Sequence, residues 1–229
     1  MANWMKGMLV VGTDTGVGKT YVTCQLLRGL RQHGVDAVGM KPVASGMVEK
    51  AGVWVNEDVE AIAQACDYRL DQKIINPYCY RPFIAPHLAA REVGEEIDLG
   101  RIEACYRQLG QQAELVVVEG AGGLMTPLTA SETFIDLARR LSIPVLLVTA
   151  IRLGCINHSL LTAEALVANQ LSLMGWIANY PDSGVPRNIG VEGAIEDRLQ
   201  APLLGIFPHL GGVEAAGIDL DQVFDQHLC

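Results

Sequence analysis

No run of lysine or arginine stands out in this chain, whose net charge is −9. A surface built to grip nucleic acid or an anionic membrane is therefore not expected, although a local basic pocket is compatible with that balance. No C-x-x-C pair occurs among the six cysteines, and no histidine lies at zinc-ligand spacing from two of them. The thiols read as free and buried, in a reducing cytoplasm. No uninterrupted apolar run approaches a membrane span. The opening MANWMKGMLVVGTD is too short in apolar residues for a secretory leader and runs straight into a glycine-rich loop. Internal repeats, low-complexity tracts and interdomain linkers are missing as well. What is present is a chain of 229 residues, half of them hydrophobic, with ample length for the core of a single α/β domain over 1–229.

Short apolar runs alternate with longer segments of helical period. Strands are predicted at 8–13, 36–44, 114–120, 143–150, 173–180 and 203–208. ELVVVEG and IPVLLVTA are apolar on both faces, as the centre of a parallel sheet requires. Helices are predicted at 18–33, 57–66, 99–112, 132–141, 156–170 and 188–199, the first carrying Val22, Leu26, Leu27 and Leu30 and ended by Gly34. This alternation predicts one doubly wound, mainly parallel sheet flanked by helices. The stretch 46–98 is less regular and is expected to be a loop-rich cover over the sheet's active edge.

The first strand leads into GTDTGVGKT. In the phosphate-loop pattern G-x-x-x-x-G-K-[ST], counting back from Gly18-Lys19-Thr20 puts the first glycine at position 13, where Thr13 stands. Gly12 is one residue early and Gly16 is an addition. Strand, glycine-rich turn and helix still form the setting in which backbone N–H groups face anionic oxygens. Lys19 adds a point charge near the β- and γ-phosphates, and Thr20 offers Mg²⁺ a hard oxygen. The loop resembles a variant found in a branch of P-loop proteins that often carries a second lysine near its start. Here that position is Asp14, which speaks against a partitioning or septum-positioning ATPase and leaves ATP binding intact.

Other segments place chemistry at strand ends. KPVASG puts Lys41 at a strand exit stiffened by proline, with Ser45 following; Lys41 read alone is as compatible with a solvated strand end. The strand exit carrying Lys41 is expected beside the strand that holds the phosphate loop. NED opens a helix, where Asn56 or Asp58 serves as a cap. In VVVEGAGGL, Glu119 emerges where P-loop proteins place a second metal-associated acid, and the glycines after it allow close backbone approach. Gly154 and Cys155 precede a helix whose first amides suit a carboxylate. Asn157 serves the same end or caps the helix, while Cys155 and His158 read as packing residues. Asn179, at the end of the fifth strand, can both donate to and accept from an adenine edge.

Taken together, GTDTGVGKT, KPVASG, VVVEGAGGLMTPL, LGCINHSLLTAEAL, GWIAN and PLLG resemble the dethiobiotin synthetase family, in order from residue 12 to about 208. The resemblance implies a carbon–nitrogen ligase of biotin biosynthesis. It would convert 7,8-diaminononanoate, CO₂ and ATP, with Mg²⁺, to dethiobiotin, ADP and phosphate, as a cytoplasmic homodimer. It implies that Lys41 is catalytic, stabilising a carbamate and the phosphoryl group it receives. Gly16, Val17, Gly18, Lys19, Thr20 and Tyr21 would bind ATP phosphates. Asp58, Glu119, Gly120, Ala121 and Gly122 would complete that side, with Thr20, Asp58 and Glu119 holding Mg²⁺. Asn179, Tyr180, Pro208, His209, Leu210 and Glu214 would meet the base and ribose. Thr15, Ser45 and the turn Gly154, Cys155, Ile156, Asn157 would meet the substrate, the turn from a neighbouring subunit. Two departures stand out: Gly16 where some relatives carry an acid, and PRNIGVE (186–192) without the tyrosine that some place near the substrate carboxylate. A nucleotide-dependent switch that binds a protein partner is the alternative; the acidic tail DLDQVFDQHLC and Asp14 disfavour it.

Overall fold

The computed structural model describes residues 6–66, 71–182, 190–209, 218–221 and 223. In chain order the elements begin with β1 (Lys6–Gly12), α1 (Lys19–Gln32) and β2 (Ala37–Met40). A cover segment follows: β3 (Val43–Ser45), β4 (Val48–Lys50), β5 (Val53–Val55), α2 (Glu57–Cys66), α3 (Gln72–Ile75), β6 (Tyr78–Tyr80) and α4 (Pro86–Glu92). The remainder is α5 (Leu99–Leu109), β7 (Leu115–Gly123), α6 (Phe134–Leu141), β8 (Val145–Ala150), α7 (Cys155–Ala168), β9 (Leu173–Asn179), α8 (Val191–Leu199) and β10 (Leu203–Phe207).

Six strands form one parallel sheet in the order β10-β9-β8-β1-β7-β2. Its centre is dry: Met8, Leu9 and Val10 of β1, Val116, Val117 and Val118 of β7, and Val145, Leu146, Leu147 and Val148 of β8 are all fully buried. Strands buried on both faces need apolar residues at every position, which is why no alternation appears in their sequences. Helices cover both faces. The cap on α6 is a reciprocal pair: the Thr133 hydroxyl accepts from Ile135 N–H, while Asp136 accepts from Thr133 N–H. From β1 the chain goes first to the edge at β2, returns to fill the gap with β7, then crosses to the other side of β1 through β8, β9 and β10. The order therefore reverses at β1, and ligand sites in such sheets lie off the carboxyl ends of the strands at that reversal.

Three expectations need correction. The run 36–44 is two strands, because Pro42 has no N–H for a ladder; β2 stays in the main sheet and β3 leaves to pair with β6. Lys41 does not follow the strand next to β1, since β7 lies between β1 and β2. The cover over 46–98 is more ordered than a loop: beyond the expected α2 it holds an antiparallel hairpin of β4 and β5, the short helix α3, β6 and α4. Among the described residues no helix is long and apolar enough to cross a membrane.

Candidate active site

The phosphate loop runs from the end of β1 to the start of α1. Gly12, the displaced glycine, is required by crowding: a Cβ there would lie 2.6 Å from a Val17 methyl, 2.8 Å from the Asp14 carbonyl oxygen and 3.0 Å from Lys19 Nζ. Gly18 caps α1 in the left-handed region, with φ 91°. A Cβ on it would stand 2.1 Å from Asn179 Nδ2. That amide donates to the Val17 carbonyl at 2.8 Å, so the end of β9 holds the loop's last turn in place. Lys19 folds back onto the Asp14 carbonyl at 3.0 Å. Burial, followed by the nearby Lys41 charge, lowers its ammonium to about 8. Asp14 itself is tied down, taking Thr15 N–H at 2.7 Å and Arg152 at 3.1 Å.

Lys41 is the centre of the arrangement. It is 3 % exposed, and its ammonium lies 2.5 Å from Glu119 Oε1, 3.2 Å from Asp58 Oδ2 and 3.3 Å from the Gly120 carbonyl. It reaches these across the end of β7, the strand that separates β2 from β1. Burial would lower this ammonium, but the charges of Glu119 and Asp58 outweigh it and hold Lys41 above its ordinary value. Asp58 shows the converse. Burial pushes its carboxyl up, yet the Lys41 charge and hydrogen bonds from Thr20 and Lys41 keep it below the usual carboxylate value. Asp58 is free for this because Asn56 takes the capping role: its Oδ1 accepts from Val59 N–H at 3.2 Å, and its Nδ2 ties α2 to the Ser45 carbonyl at 3.1 Å.

Glu119 is fully buried, and its Oε1 also accepts from the Thr20 hydroxyl at 2.8 Å. Its Oε2 has no partner among the described residues. A buried carboxylate oxygen without a donor, beside a hydroxyl and a second carboxylate, is a hard-oxygen set that suits Mg²⁺. Among the described residues no group of three or more His, Cys, Asp or Glu side chains is arranged to hold a metal. Thr20, Asp58 and Glu119 are the protein oxygens that could hold such an ion, with phosphate and water to complete its shell.

These groups open into a cleft of about 650 Å³. Of the expected residues, its walls contain Thr15, Gly16, Gly18, Lys19 and Thr20 from the loop, Lys41 and Ser45 from the β2–β3 exit, and Asp58, Glu119, Ala121 and Gly122. Ala44, Thr126 and the run Phe83, Ile84, Ala85 and Pro86, none of them an expected site residue, complete the walls. Thr126 lies inside the quoted VVVEGAGGLMTPL and takes Gly123 N–H at 3.0 Å. The Phe83–Pro86 run has no spacing signal; Phe83 is 82 % exposed, so its place over the cleft follows only from how α4 and β6 pack.

Other expected residues lie apart from the cleft. Tyr21 meets Phe207 edge-on at 5.5 Å, and Pro208 and His209 follow at the end of β10. His209 Nδ1 donates to the Pro181 carbonyl at 2.6 Å. Tyr180 is buried, with its hydroxyl directed to Glu192, so its ring presents no open face. Leu210, Glu214 and most of PRNIGVE lie outside the described residues. Gly154, which caps α7, and Cys155, Ile156 and Asn157 of its first turn line no part of the cleft. Cys155 is buried as expected, whereas His158 is exposed rather than packed.

The family model described as an AAA domain matches residues 6–216. The chain is 46% identical over 213 residues to the ATP-dependent dethiobiotin synthetase BioD of Aromatoleum aromaticum, covering 93% of this chain and 95% of that protein. It is 48% identical over 220 residues to the protein of the same name from Nitrosospira multiformis, covering 96% and 95%. Among solved structures it is similar to the MinC:MinD cell division protein complex of Aquifex aeolicus, with a TM-score of 0.54 and 13% identity over 97% of this chain and 86% of that one. A ParA family ATPase from Chlorobium tepidum also gives a TM-score of 0.54 at 13% identity, covering 97% and 90%. At such identities these structures support the fold and nothing more.

Proposed function

The chain belongs to the ATP-dependent dethiobiotin synthetase family, an AAA-domain P-loop group, and from that premise we propose how its cleft performs an ATP-dependent ring-closing ligation. The substrates are ATP, CO₂ and a diamino fatty acid, 7,8-diaminononanoate. One amine captures CO₂ as a carbamate and gives up a proton. A carbamate oxygen then attacks the γ-phosphorus, forming a carbamic–phosphoric anhydride and releasing ADP. The second amine attacks the carbamate carbon, closes the five-membered urea and expels phosphate.

Little covalent work falls to the protein, so placement and charge dominate. The observation that carries the reading is the buried Lys41 ammonium, 2.5 Å from Glu119 and 3.2 Å from Asp58, at the foot of the phosphate loop. Joining an anionic carbamate to a phosphate brings two negative groups together, and a fixed cation between them acts most strongly as the transition state forms. Lys19 and the loop amides of Gly16, Val17 and Gly18 hold the phosphates. Thr20, Asp58 and Glu119 would hold Mg²⁺, which supplies charge neutralisation between phosphate oxygens. Ser45 and Thr15 contact the diamine. The second amide hydrogen of Asn179 and its Oδ1 read adenine, beside Tyr21, Pro208 and His209.

The enzyme acts as a cytoplasmic homodimer in this reading. Leu153, Leu161 and Val167 project from α7 and the turn before it with exposures of 105%, 61% and 73%. Exposed apolar side chains along this element are the basis for pairing with a second copy in this reading. Pairing through α7 would offer its first turn, Gly154–Asn157, to the substrate carboxylate in the neighbouring cleft. The test is direct: protein, diamine, bicarbonate and MgATP should yield a ureido product with stoichiometric ADP and free phosphate. Folded Lys41→Gln should turn over roughly a hundredfold more slowly or worse while still binding nucleotide. A phosphorylated product that retains phosphate, or full turnover without Lys41, defeats the reading.

A further inference from the structure

The backbone that carries Lys41 is gripped by a residue outside the cleft. Strand β2 ends at Met40, and Pro42 has no N–H, so the chain at Lys41 has lost its ladder. Residues 75–78 replace it. Lys41 N–H donates to the Ile75 carbonyl at 2.9 Å. The Lys41 carbonyl accepts from Asn76 Nδ2 at 2.6 Å, and the same Nδ2 donates to the Tyr78 carbonyl at 2.9 Å. Tyr78 N–H returns to the Pro42 carbonyl at 3.3 Å, where β3 and β6 begin to pair. Asn76 is 7 % exposed. Both acceptors are carbonyls, so the orientation of its amide is unambiguous.

We propose that Asn76 is the positioning residue for Lys41, an inference that rests on the role given to Lys41 above. A primary amide is suited to the task because one nitrogen supplies two hydrogens to two carbonyls. A serine hydroxyl supplies one and a carboxylate none. Without the clamp the buried Lys41 carbonyl has no donor and the strand exit relaxes. The ammonium then shifts against Glu119 and against the phosphate it must meet. Displacements of about 1 Å in such a group cost turnover rather than nucleotide binding, on the order of a hundredfold at the upper end.

The test measures melting, MgATP binding and steady-state kinetics for Asn76→Ala and Asn76→Asp, for Lys41→Gln, and for the double variant Asn76→Ala/Lys41→Gln. Leu109→Ala serves as a destabilised control, because Leu109 is fully buried on α5 and lines no part of the cleft. The Asn76 variants should lose roughly ten- to a hundredfold in kcat, with KM for MgATP held within about threefold, a split expected when only transition-state interactions are lost. Leu109→Ala should melt early yet keep kcat per folded molecule. In the Lys41→Gln background, Asn76→Ala should cause no further loss, because the two act through one group. Full kcat in folded Asn76→Asp, or an undiminished further loss in that background, overturns the inference. If neither Asn76 variant folds, Asn76→Ser keeps one donor and serves instead; a kcat that merely tracks its folded fraction overturns the proposal. A fully active Lys41→Gln enzyme strikes the reading of Lys41 itself, which separates that failure from this one.

Discussion

Lys41→Gln should unfold this protein more easily as well as slow it. The pair it breaks has side-chain exposures of 4% for Lys41 and 0% for Glu119, at 2.5 Å. At that separation and an effective dielectric of about 20, the Coulomb attraction is about 7 kcal/mol. Much of it is cancelled by the cost of burying both ions. Removing one partner does not recover that cost, because the Glu119 carboxylate stays buried with Thr20 as its remaining donor and Oε2 without one. Breaking a buried pair in this way costs about 3–5 kcal/mol. For a domain of this size that lowers the melting temperature by about 6–20 °C. Urea titration and thermal melting of the nucleotide-free protein would read it. The double variant Lys41→Gln/Glu119→Gln removes both charges and should recover at least about half of the loss, since neutral partners leave no stranded ion. A single variant within about 0.5 kcal/mol of wild type, the scale of an ordinary surface change, refutes the account of Lys41 as the counter-charge that makes Glu119 tolerable in the core.

Gly18→Ala places a Cβ 2.1 Å from Asn179 Nδ2 on a backbone with φ 91°. The left-handed strain alone is about 1–2 kcal/mol, so nucleotide affinity measured by equilibrium binding should fall roughly tenfold, and unchanged affinity would show that the Asn179–loop contact is dispensable. Burial raises the Cys79 thiol from 9.0 to about 11. Its neutral form is favoured when folded, so its contribution to stability is complete below about pH 9 and is lost as pH rises through about 11. Cys79→Ala should flatten the fall in melting temperature across that window; an equal slope in both proteins counts against it. Leu161→Glu puts a charge on the exposed face of α7 and should convert a dimer to monomer in light scattering, whereas a wild type already monomeric at assay concentration removes the basis for a site shared between subunits.

Local order carried much of the architecture. Three consecutive valines before Glu119, or IPVLLV before Thr149, have no solvent-facing position, so they announce a strand buried on both faces wherever it ends up. The glycine loop announced itself in the same way, because a helix start that receives phosphate needs small residues and a lysine at short range. Helix bounds moved by a few residues where caps decided them, as Thr133 and Asp136 did for α6. The break in 36–44 was written in Pro42, although its consequence, a second sheet with β6, depends on a distant segment that pairs Tyr78 with Val43.

What no local pattern contains is which strand stands between which. Strand order is set by how helices cover the two faces, and it put β7 between β1 and β2. Only then does Lys41 meet Glu119, 78 residues away, and Thr20 meet the same carboxylate from 99 residues away. The choice between Asn56 and Asp58 as helix cap had the same character: either side chain could serve, and the Lys41 charge across the cleft claimed the acid. The sequence by itself determined which segments form buried strands, the phosphate loop and the inventory of charged groups, because periodicity and short-range backbone chemistry act over a few residues. Tertiary packing decided which of those charges are buried together, because desolvation and Coulomb attraction depend on distance through space, and separation along the chain does not enter either of them.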